Sequence, residues 1–184
     1  MMNVRIHGRG GQGNVVAAYL LATAAIEEGL YAQAFPAFGA ERRGAPVIAF
    51  VRLSRETVRR RDQVRNPDYL IVQDQALLHV PGVLDGLKEG GRILVNSPQN
   101  SEQVSAETGL PAAAIPATAL AQEHLGRPVP NTALLAAFFT LTSVLPVEAL
   151  SQSLKKRFKG EVLERNLKLI EAAAGLFQPG LWKE

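Results

Sequence analysis

The start of the chain places a short apolar strand directly before a turn rich in glycine. Residues 4–13 read Val-Arg-Ile-His-Gly-Arg-Gly-Gly-Gln-Gly, and an apolar segment typical of a helix, residues 14–28, follows at once. Gly8, Gly10 and Gly13 have the Gly-x-Gly-x-x-Gly spacing, which leaves backbone N–H groups at a helix N-terminus open to an anion. This order of strand, glycine turn and helix predicts the first unit of an α/β fold.

Two interpretations of the glycine turn are open from the local sequence. It is either a tight turn in which glycines permit positive φ and close packing, or a site for a phosphate-like anion. A dinucleotide site also needs an acidic residue about 20 residues further on, at the end of the second strand. That strand is predicted at Tyr31–Phe35 and runs into Pro36, whereas Glu27 and Glu28 lie in the preceding helix. The turn therefore favours a phosphate group or a protein neighbour over NAD.

The rest of the chain alternates predicted strands and helices. Strands are predicted at residues 47–53, 69–72, 92–96 and 112–116; helices at 118–125, 131–144, 147–158 and 161–176; and a helical or irregular segment at 77–87. This alternation predicts a Rossmann-like α/β fold, with a mainly parallel, doubly wound sheet, helices on both faces and a helical C-terminus. We expect residues 1–184 to form a single domain.

The loop after the second strand is the other candidate site. In a doubly wound sheet, ligands meet the loops at the carboxyl ends of the strands, so this loop and the glycine turn should face the same side. The loop holds a short charged run: Glu41, Arg42, Arg43 and Gly44. Phe35 and Phe38 flank this run, and exposed aromatic groups beside arginine are typical of a contact surface. The alternative is that both phenylalanines fold back onto the core.

Composition excludes several kinds of site. The chain has no cysteine, so it can hold neither a disulfide nor a thiolate-ligated iron–sulfur cluster. Its three histidines are widely spaced and form no metal-binding pattern. Asp68, Asp74 and Asp85 are candidate carboxylates, but their spacing assigns no general acid or base, and Asp68 and Asp74 are predicted to act as caps. The sequence therefore predicts no catalytic residue and no metal ligand.

Charge and hydropathy argue against nucleic acid and membrane partners. Lys and Arg number 20 against 17 Asp and Glu, and a net charge of +3 is too small to indicate nucleic acid. The arginine-rich stretch at residues 55–65 has no interleaved aromatic residues for base stacking and is predicted to be a solvated face, with a polyanion site as the alternative. No apolar run reaches the roughly 18 residues of a membrane span, so we expect a cytoplasmic protein.

Several segments together indicate a family. Gly8-Arg9-Gly10-Gly11-Gln12-Gly13 is paired with Phe35-Pro36-Ala37-Phe38-Gly39-Ala40-Glu41-Arg42-Arg43-Gly44-Ala45-Pro46-Val47, and Pro130-Asn131-Thr132 follows at suitable spacing. In this combination the chain closely resembles the gamma subunit of 2-oxoacid:ferredoxin oxidoreductases. The Arg-Arg-Gly-Ala-Pro segment is similar to the pyruvate and branched-chain 2-oxoacid enzymes. One departure is Ala136-Ala137, where family members commonly have a glycine.

The resemblance implies that the chain works within an assembly. Family enzymes oxidatively decarboxylate a 2-oxoacid to an acyl-CoA with ferredoxin as electron acceptor. For this chain the expected 2-oxoacid is pyruvate. Thiamine diphosphate and iron–sulfur clusters would belong to alpha-, beta- and delta-type partner subunits, and the isolated chain could form a homodimer through its partner face. Contacts to a partner or to coenzyme A are expected from twelve residues: Gly8, Arg9, Gly10, Gly11, Gln12, Gly13, Glu41, Arg42, Arg43, Gly44, Asn131 and Thr132.

Two other functions are alternatives to the gamma-subunit role. The first is a stand-alone NAD(P)-binding Rossmann domain, which the missing acidic residue after the second strand disfavours. The second is a nucleic-acid-binding module that uses the arginines of residues 55–65.

Overall fold

The computed structural model describes residues 1–37, 46–60 and 62–183 and is built on one six-stranded sheet. The strands are β1 Met2–Arg9, β2 Tyr31–Pro36, β3 Pro46–Ser54, β4 Tyr69–Val72, β5 Arg92–Asn96 and β6 Ala112–Ile115. Their order across the sheet is β2-β3-β1-β4-β5-β6. Strands β1, β4, β5 and β6 pair in parallel, whereas β3 is antiparallel to both β1 and β2. The predicted α/β fold with a mainly parallel sheet is confirmed.

Six helices and a short 3-10 helix connect these strands. The helices are α1 Asn14–Glu27, α2 Ser101–Thr108, α3 Ala117–Leu125, α4 Asn131–Thr142, α5 Val147–Arg157 and α6 Gly160–Ala174, and the 3-10 helix is Gln75–His79. The helices predicted from apolar periodicity end within a few residues of the observed bounds. Helix α2 was not predicted, because Val104 is the residue it buries and so short a helix shows no apolar period. Its sequence signal is a capping box between Asn100 and Gln103.

The helices cover both faces of the sheet, as predicted. On one face α1 and α3–α6 enclose the larger core, and all residues of α4 are buried. On the other face Val104 of α2 and Leu77 and Leu78 of the 3-10 helix cover a smaller cluster around Leu70 and Val72. Helix α4 therefore anchors the larger layer, and its N-terminus is held in a fixed place relative to the strand ends.

Strand β3 runs against its neighbours because the connection from β2 is short. Residues 37–45 link the two strands, and a parallel pair needs a crossover of about a dozen residues or more. The resulting hairpin places Pro36 and Pro46, which flank the connection, at the same edge of the sheet as the end of β1, where Arg9 pairs with Pro46. The two ends of this loop therefore lie at the edge of the sheet that holds the glycine turn, as predicted. Phe38, Glu41, Arg42, Arg43 and Gly44 themselves lie outside the described residues.

Phe35 is not the exposed aromatic group that the sequence suggested. Its ring packs on Phe50 with centroids 5.2 Å apart, and the guanidinium carbon of Arg52 lies 5.6 Å from its centroid. Phe35 is therefore half-buried against its hairpin partner. It packs on the paired strand β3, whose residues offer it an aromatic and a cationic contact, and it belongs to neither core cluster of the described residues.

Candidate functional site

The glycine turn between β1 and α1 is tight because two of its glycines have no room for a side chain. A Cβ on Gly8 would lie 2.2 Å from Asn14 Oδ1, and a Cβ on Gly13 would lie 2.6 Å from Asn131 Nδ2. Gly13 also has a φ of 82°, a conformation that side chains other than glycine adopt at a cost. The close-packing interpretation of the motif is thus met in the structure, and it does not exclude a ligand above the turn.

We expect Gly13→Ala to lower the free energy of unfolding by about 2 kcal/mol, because it combines a positive φ with a close contact. Gly11→Ala is a matched control, since Gly11 has a φ of 94° and open space where its Cβ would point. For this control we expect a loss of about 1 kcal/mol or less. Urea unfolding of both variants measures the difference. Equal losses would show that the Asn131 contact does not constrain the turn.

Hydrogen bonds lock the turn from within. The Arg9 N–H donates to Gln12 Oε1 at 2.7 Å, and the Gln12 N–H donates to the Arg9 carbonyl at 3.1 Å. Asn14 Nδ2 donates to the Val47 carbonyl at 2.6 Å, which ties the first residue of α1 to β3. The turn is therefore a rigid part of the sheet edge, and its backbone direction is set before any ligand arrives.

The first N–H groups of α1 have no capping side chain at this turn. Gly13 is the capping residue, so within the described residues no N-cap side chain accepts a hydrogen bond from the first turn of this 14-residue helix. The first N–H groups of a helix carry the positive end of its dipole and favour an anion. At the neighbouring helix starts Asn96 Oδ1 accepts from the Thr118 N–H of α3, and Asn131 Oδ1 accepts from the Thr132 N–H of α4. Anion affinity is therefore expected at α1.

Arg9 joins the turn to the next parallel strand. Its Nε lies 2.5 Å from Asp74 Oδ2, and the other oxygen of Asp74 accepts from the Ala76 N–H at 3.0 Å. Asp74 therefore caps the 3-10 helix, which confirms the role predicted for it from its position after a strand. The Arg9 side chain is partly exposed in this ion pair, and the Asp74 carboxylate balances its positive charge beside the turn.

Asn131 and Thr132 lie beneath the turn. Asn131 Nδ2 is 3.5 Å from the Gly13 carbonyl, and the Thr132 hydroxyl donates to Asn166 Oδ1 of α6 at 3.1 Å. Both residues are buried. They fix the start of α4 against the turn and against α6, and direct contact with a ligand remains a prediction for them.

A cleft of about 640 Å³ lies beside the turn, at the carboxyl ends of β4 and β5 and the start of α3. Gln12 of the turn lines it, together with Gln73, Asn96 and Thr118. Asn96 Nδ2 donates to the Gln73 carbonyl at 2.9 Å and to the Thr118 hydroxyl at 2.7 Å, which holds the two strand ends and α3 together. Sequence reasoning did not select Gln73 or Thr118. The available signal was the position of Gln73 at the carboxyl end of a predicted strand.

The described part of the chain shows no metal centre. Among residues 1–37, 46–60 and 62–183, no three His, Asp or Glu side chains come together as a group that could hold a metal ion. None of the helices formed by these residues has the length and apolar character needed to cross a membrane. Arg55 and Arg59 of the basic stretch are exposed, and Arg60 pairs with Asp62.

Comparisons with known proteins match this chain over nearly its whole length. The family model described as pyruvate ferredoxin/flavodoxin oxidoreductase matches residues 3–176. Pyruvate synthase subunit PorC of Methanothermobacter marburgensis is 48% identical over 168 residues, which cover 90% of this chain and 92% of that one. The pyruvate/ketoisovalerate oxidoreductases common subunit gamma of Thermococcus kodakarensis is 43% identical over 176 residues, covering 94% of this chain and 95% of that one.

A solved structure shares the fold as well as the sequence. The crystal structure of pyruvate oxidoreductase subunit PORC from Thermotoga maritima superposes with a TM-score of 0.84 at 37% identity, and the match covers 95% of each chain. The family resemblance inferred from the glycine turn and from the loop that contains Arg42 and Arg43 is thereby confirmed. The chain belongs to the pyruvate ferredoxin/flavodoxin oxidoreductase family, as a gamma-type subunit of an oxidoreductase complex.

Proposed function

We propose that this chain is the gamma subunit of a cytoplasmic enzyme that oxidatively decarboxylates pyruvate to acetyl-CoA with ferredoxin as acceptor, and that it holds a phosphate of coenzyme A. The observation that carries the second part is the open N-terminus of α1 beside the flanks of the arginine loop. Residues 1–184 act in this role as one domain, with alpha-, beta- and delta-type subunits as partners.

The phosphate site would combine backbone donors with side-chain cations. The N–H groups that follow Gly13 would supply donors, and Arg42 and Arg43 belong in sequence to the connection whose flanking residues, Pro36 and Pro46, lie at this edge of the sheet. Guanidinium groups bind phosphate through paired, charge-assisted hydrogen bonds. Glu41 and Gly44 would set the shape of the loop, and the remaining predicted residues of the turn would position the backbone.

The exposed side of α1 supports a protein neighbour near this site. Residues 14–26 of α1 contain no charged side chain, yet Tyr19 is 48% exposed and Ile26 is 57% exposed. These two residues are seven positions apart and so lie on one side of the helix. A helix that is apolar all round is normally covered, so this side fits a subunit contact. Thiamine diphosphate and iron–sulfur clusters are assigned to the partner chains, since this chain offers no cysteine for a cluster.

A stand-alone NAD(P)-binding domain is not favoured. Strand β2 ends at Pro36, with no carboxylate at the position where a ribose hydroxyl would be bound. Glu27 and Glu28 end the preceding helix instead.

The test is reconstitution of the whole enzyme. We expect the partner subunits without this chain to lack CoA-dependent pyruvate oxidation, and its addition to restore it. In the assembled enzyme, replacing Arg42 and Arg43 together with Ala should raise the KM for CoA by roughly 10- to 100-fold, which corresponds to losing one or two charge-assisted hydrogen bonds. Arg59→Ala is the matched control, because Arg59 is exposed beyond the far end of β3. An unchanged KM in an intact complex would overturn the phosphate site.

A further inference from the structure

The two lateral edges of the sheet differ in how their backbone groups are bonded. At the β6 edge, the N–H groups of Ala112 and Ala114 donate at 3.0 Å to the hydroxyl oxygens of Ser105 and Ser101, both on α2. These serines occupy donors that would otherwise be open to another strand. Among the described residues the outer groups of β2 receive no such bond, and β2 pairs with β3 alone. The β2 edge of the described sheet is therefore the one open to a further strand.

The register of β2 shows which of its backbone groups face outward. The Ala37 N–H donates to the Ile48 carbonyl at 2.8 Å, and this pair continues the register between β2 and β3. Hydrogen-bonded pairs recur at every second residue of an antiparallel ladder, so the odd-numbered residues of β2 bond to β3. The N–H and C=O groups of Ala32 and Ala34 consequently point away from the sheet.

Strand β2 lacks the features that usually prevent an edge strand from pairing. Its six residues, Tyr-Ala-Gln-Ala-Phe-Pro, include no charged side chain, and the proline is the last of them. Natural edge strands are commonly protected by lysine, by proline within the strand or by a covering element. Every residue of β2 keeps part of its surface exposed, and Tyr31 is 50% exposed. This edge is thus suited to a partner strand.

A second copy of β2 is complementary to the first. With Gln33 on a two-fold axis perpendicular to the sheet, Ala32 of one copy lies opposite Ala34 of the other, and their outward groups form about four hydrogen bonds. The same register sets Tyr31 opposite Phe35 of the other copy, in the type of pair whose side chains approach most closely. One register therefore satisfies the backbone and also joins two aromatic residues.

Helix α1 lies where the two copies would also meet on one face of the sheet. It packs across β2 and β3 and against α4 and α5, and α4 in turn reaches β5. The two-fold axis sets a second α1 antiparallel beside the first, two strand spacings or roughly 10 Å away, which is the usual distance between packed helices. Because the sheet, α4 and α5 cover its other sides, the uncharged side that carries Tyr19 and Ile26 is left for this contact.

We propose that two copies of this chain associate side by side through β2 and α1, so that their sheets continue as one. The occupant is a second copy because the register that pairs the backbone also pairs Tyr31 with Phe35 and brings the two helices to packing distance. The inference goes beyond the proposed function and uses only its expectation that a protein neighbour covers α1. Neither the phosphate site nor coenzyme A enters it, so the two proposals are tested separately.

A single introduced thiol reports which residues meet across the axis, since the chain has no cysteine of its own. In Gln33→Cys each thiol faces its own copy, in a pair with Cα atoms about 4.5 Å apart, a separation that a disulfide spans. We expect the full-length variant to form a covalent dimer rapidly under mild copper–phenanthroline oxidation. Gln122→Cys on α3 is the matched control, because Gln122 is exposed and distant from β2 in the sheet order, and it should react far more slowly. Equal rates would overturn the proposed register.

Sedimentation of the full-length chain without oxidant measures the association itself. We expect a dimer for the wild type, and Ala34→Pro should raise the dissociation constant at least roughly 10-fold because it removes an outward N–H from each copy. The ladder between β2 and β3 does not use this N–H, so a proline is compatible with the fold of the single chain. Ala34→Val is the matched control, since it adds a similar volume and keeps the N–H, and it should remain dimeric.

A change on α1 tests the helix contact separately from the strand. Tyr19→Lys places a charge between the two helices, so we expect it also to raise the dissociation constant at least roughly 10-fold. Leu176→Lys is the matched control, because Leu176 follows α6 and is 52% exposed, close to the 48% of Tyr19. This control should sediment as the wild type does.

The outcomes decide the inference without reference to activity. A wild-type chain that is monomeric at every concentration would overturn it, and so would a dimer that persists in both Ala34→Pro and Tyr19→Lys. Equal weakening by Ala34→Pro and Ala34→Val would show that strand pairing does not hold the copies together. If circular dichroism shows that Ala34→Pro does not fold, the comparison of Gln33→Cys with Gln122→Cys still decides the register. None of these results alters the expected effect of replacing Arg42 and Arg43 on the KM for CoA.

Discussion

Replacing Arg5 with Met is expected to lower the free energy of unfolding by about 4 kcal/mol, because it leaves several buried acceptors without a donor. Arg5 lies in the middle of β1 and is only 7% exposed. Its Nη2 donates to the carbonyls of Val83 and Asp85 at 2.9 and 2.7 Å, and its Nε donates to His7 Nε2 at 2.8 Å. One side chain thus ties the central strand to the irregular segment between β4 and β5.

Burial makes the charged form of Arg5 less favourable. Burial lowers the pKa of the guanidinium, and the nearby Asp85 carboxylate opposes this by raising it. Carbonyl dipoles replace the water that the cation has lost, which is why a charged residue is tolerated in the centre of a sheet. A methionine of similar length would fill the volume and provide none of these donors.

Two further variants control the Arg5 prediction. Arg5→Lys keeps the charge but has no planar fork, so we expect an intermediate loss of about 2 kcal/mol. Arg55→Met removes an exposed arginine and should change stability by less than about 0.5 kcal/mol. Chemical denaturation at neutral pH measures all three. A loss for Arg5→Met no larger than that for Arg55→Met would show that the buried bonds contribute nothing net.

The parts of the fold that could be predicted from sequence depend on local chemistry. The glycine turn was visible because Gly8 and Gly13 follow an apolar strand and precede an apolar helix. The approach of the arginine loop to this turn followed from the rule that parallel strands end at a common edge, and the flanks of the loop meet that expectation. In both cases the signal lies in consecutive residues and one general rule of topology.

The parts that could not be predicted depend on partners distant in sequence. Arg5 donates hydrogen bonds to carbonyls about 80 residues away, and nothing in the segment Val-Arg-Ile-His indicates these partners. Gln73 is buried and its amide has no described hydrogen-bond partner, which its position after a strand does not reveal. The exposed Phe35 inferred from its loop position was wrong because Phe50 and Arg52 cover it from the paired strand. Such contacts are set by register, which a single sequence specifies weakly.

Acidification from about pH 6.5 to about pH 4 is expected to cost about 3 kcal/mol of stability through His7 alone. Burial of the ring, and secondly the positive charge of Arg5, lower the pKa of His7 from 6.5 to about 3. The unfolded chain therefore takes up a proton near pH 6.5 that the folded protein accepts only near pH 3. The stabilising difference is complete above pH 6.5 and is lost as the pH falls through this window.

His7→Gln isolates this effect. A glutamine oxygen can accept the hydrogen bond from Arg5 Nε in place of the ring nitrogen, and it does not titrate. In the window between these two pKa values, we expect the unfolding free energy of the variant to fall less steeply with decreasing pH, by up to about 1.4 kcal/mol per pH unit. His79, His124 and the carboxylates are present in both proteins, so their contributions cancel in the comparison.

Parallel pH profiles for the two proteins would mean that His7 accepts a proton in the folded state as readily as in the unfolded one. Diverging profiles would locate the acid-sensitive point in β1, one residue before Gly8.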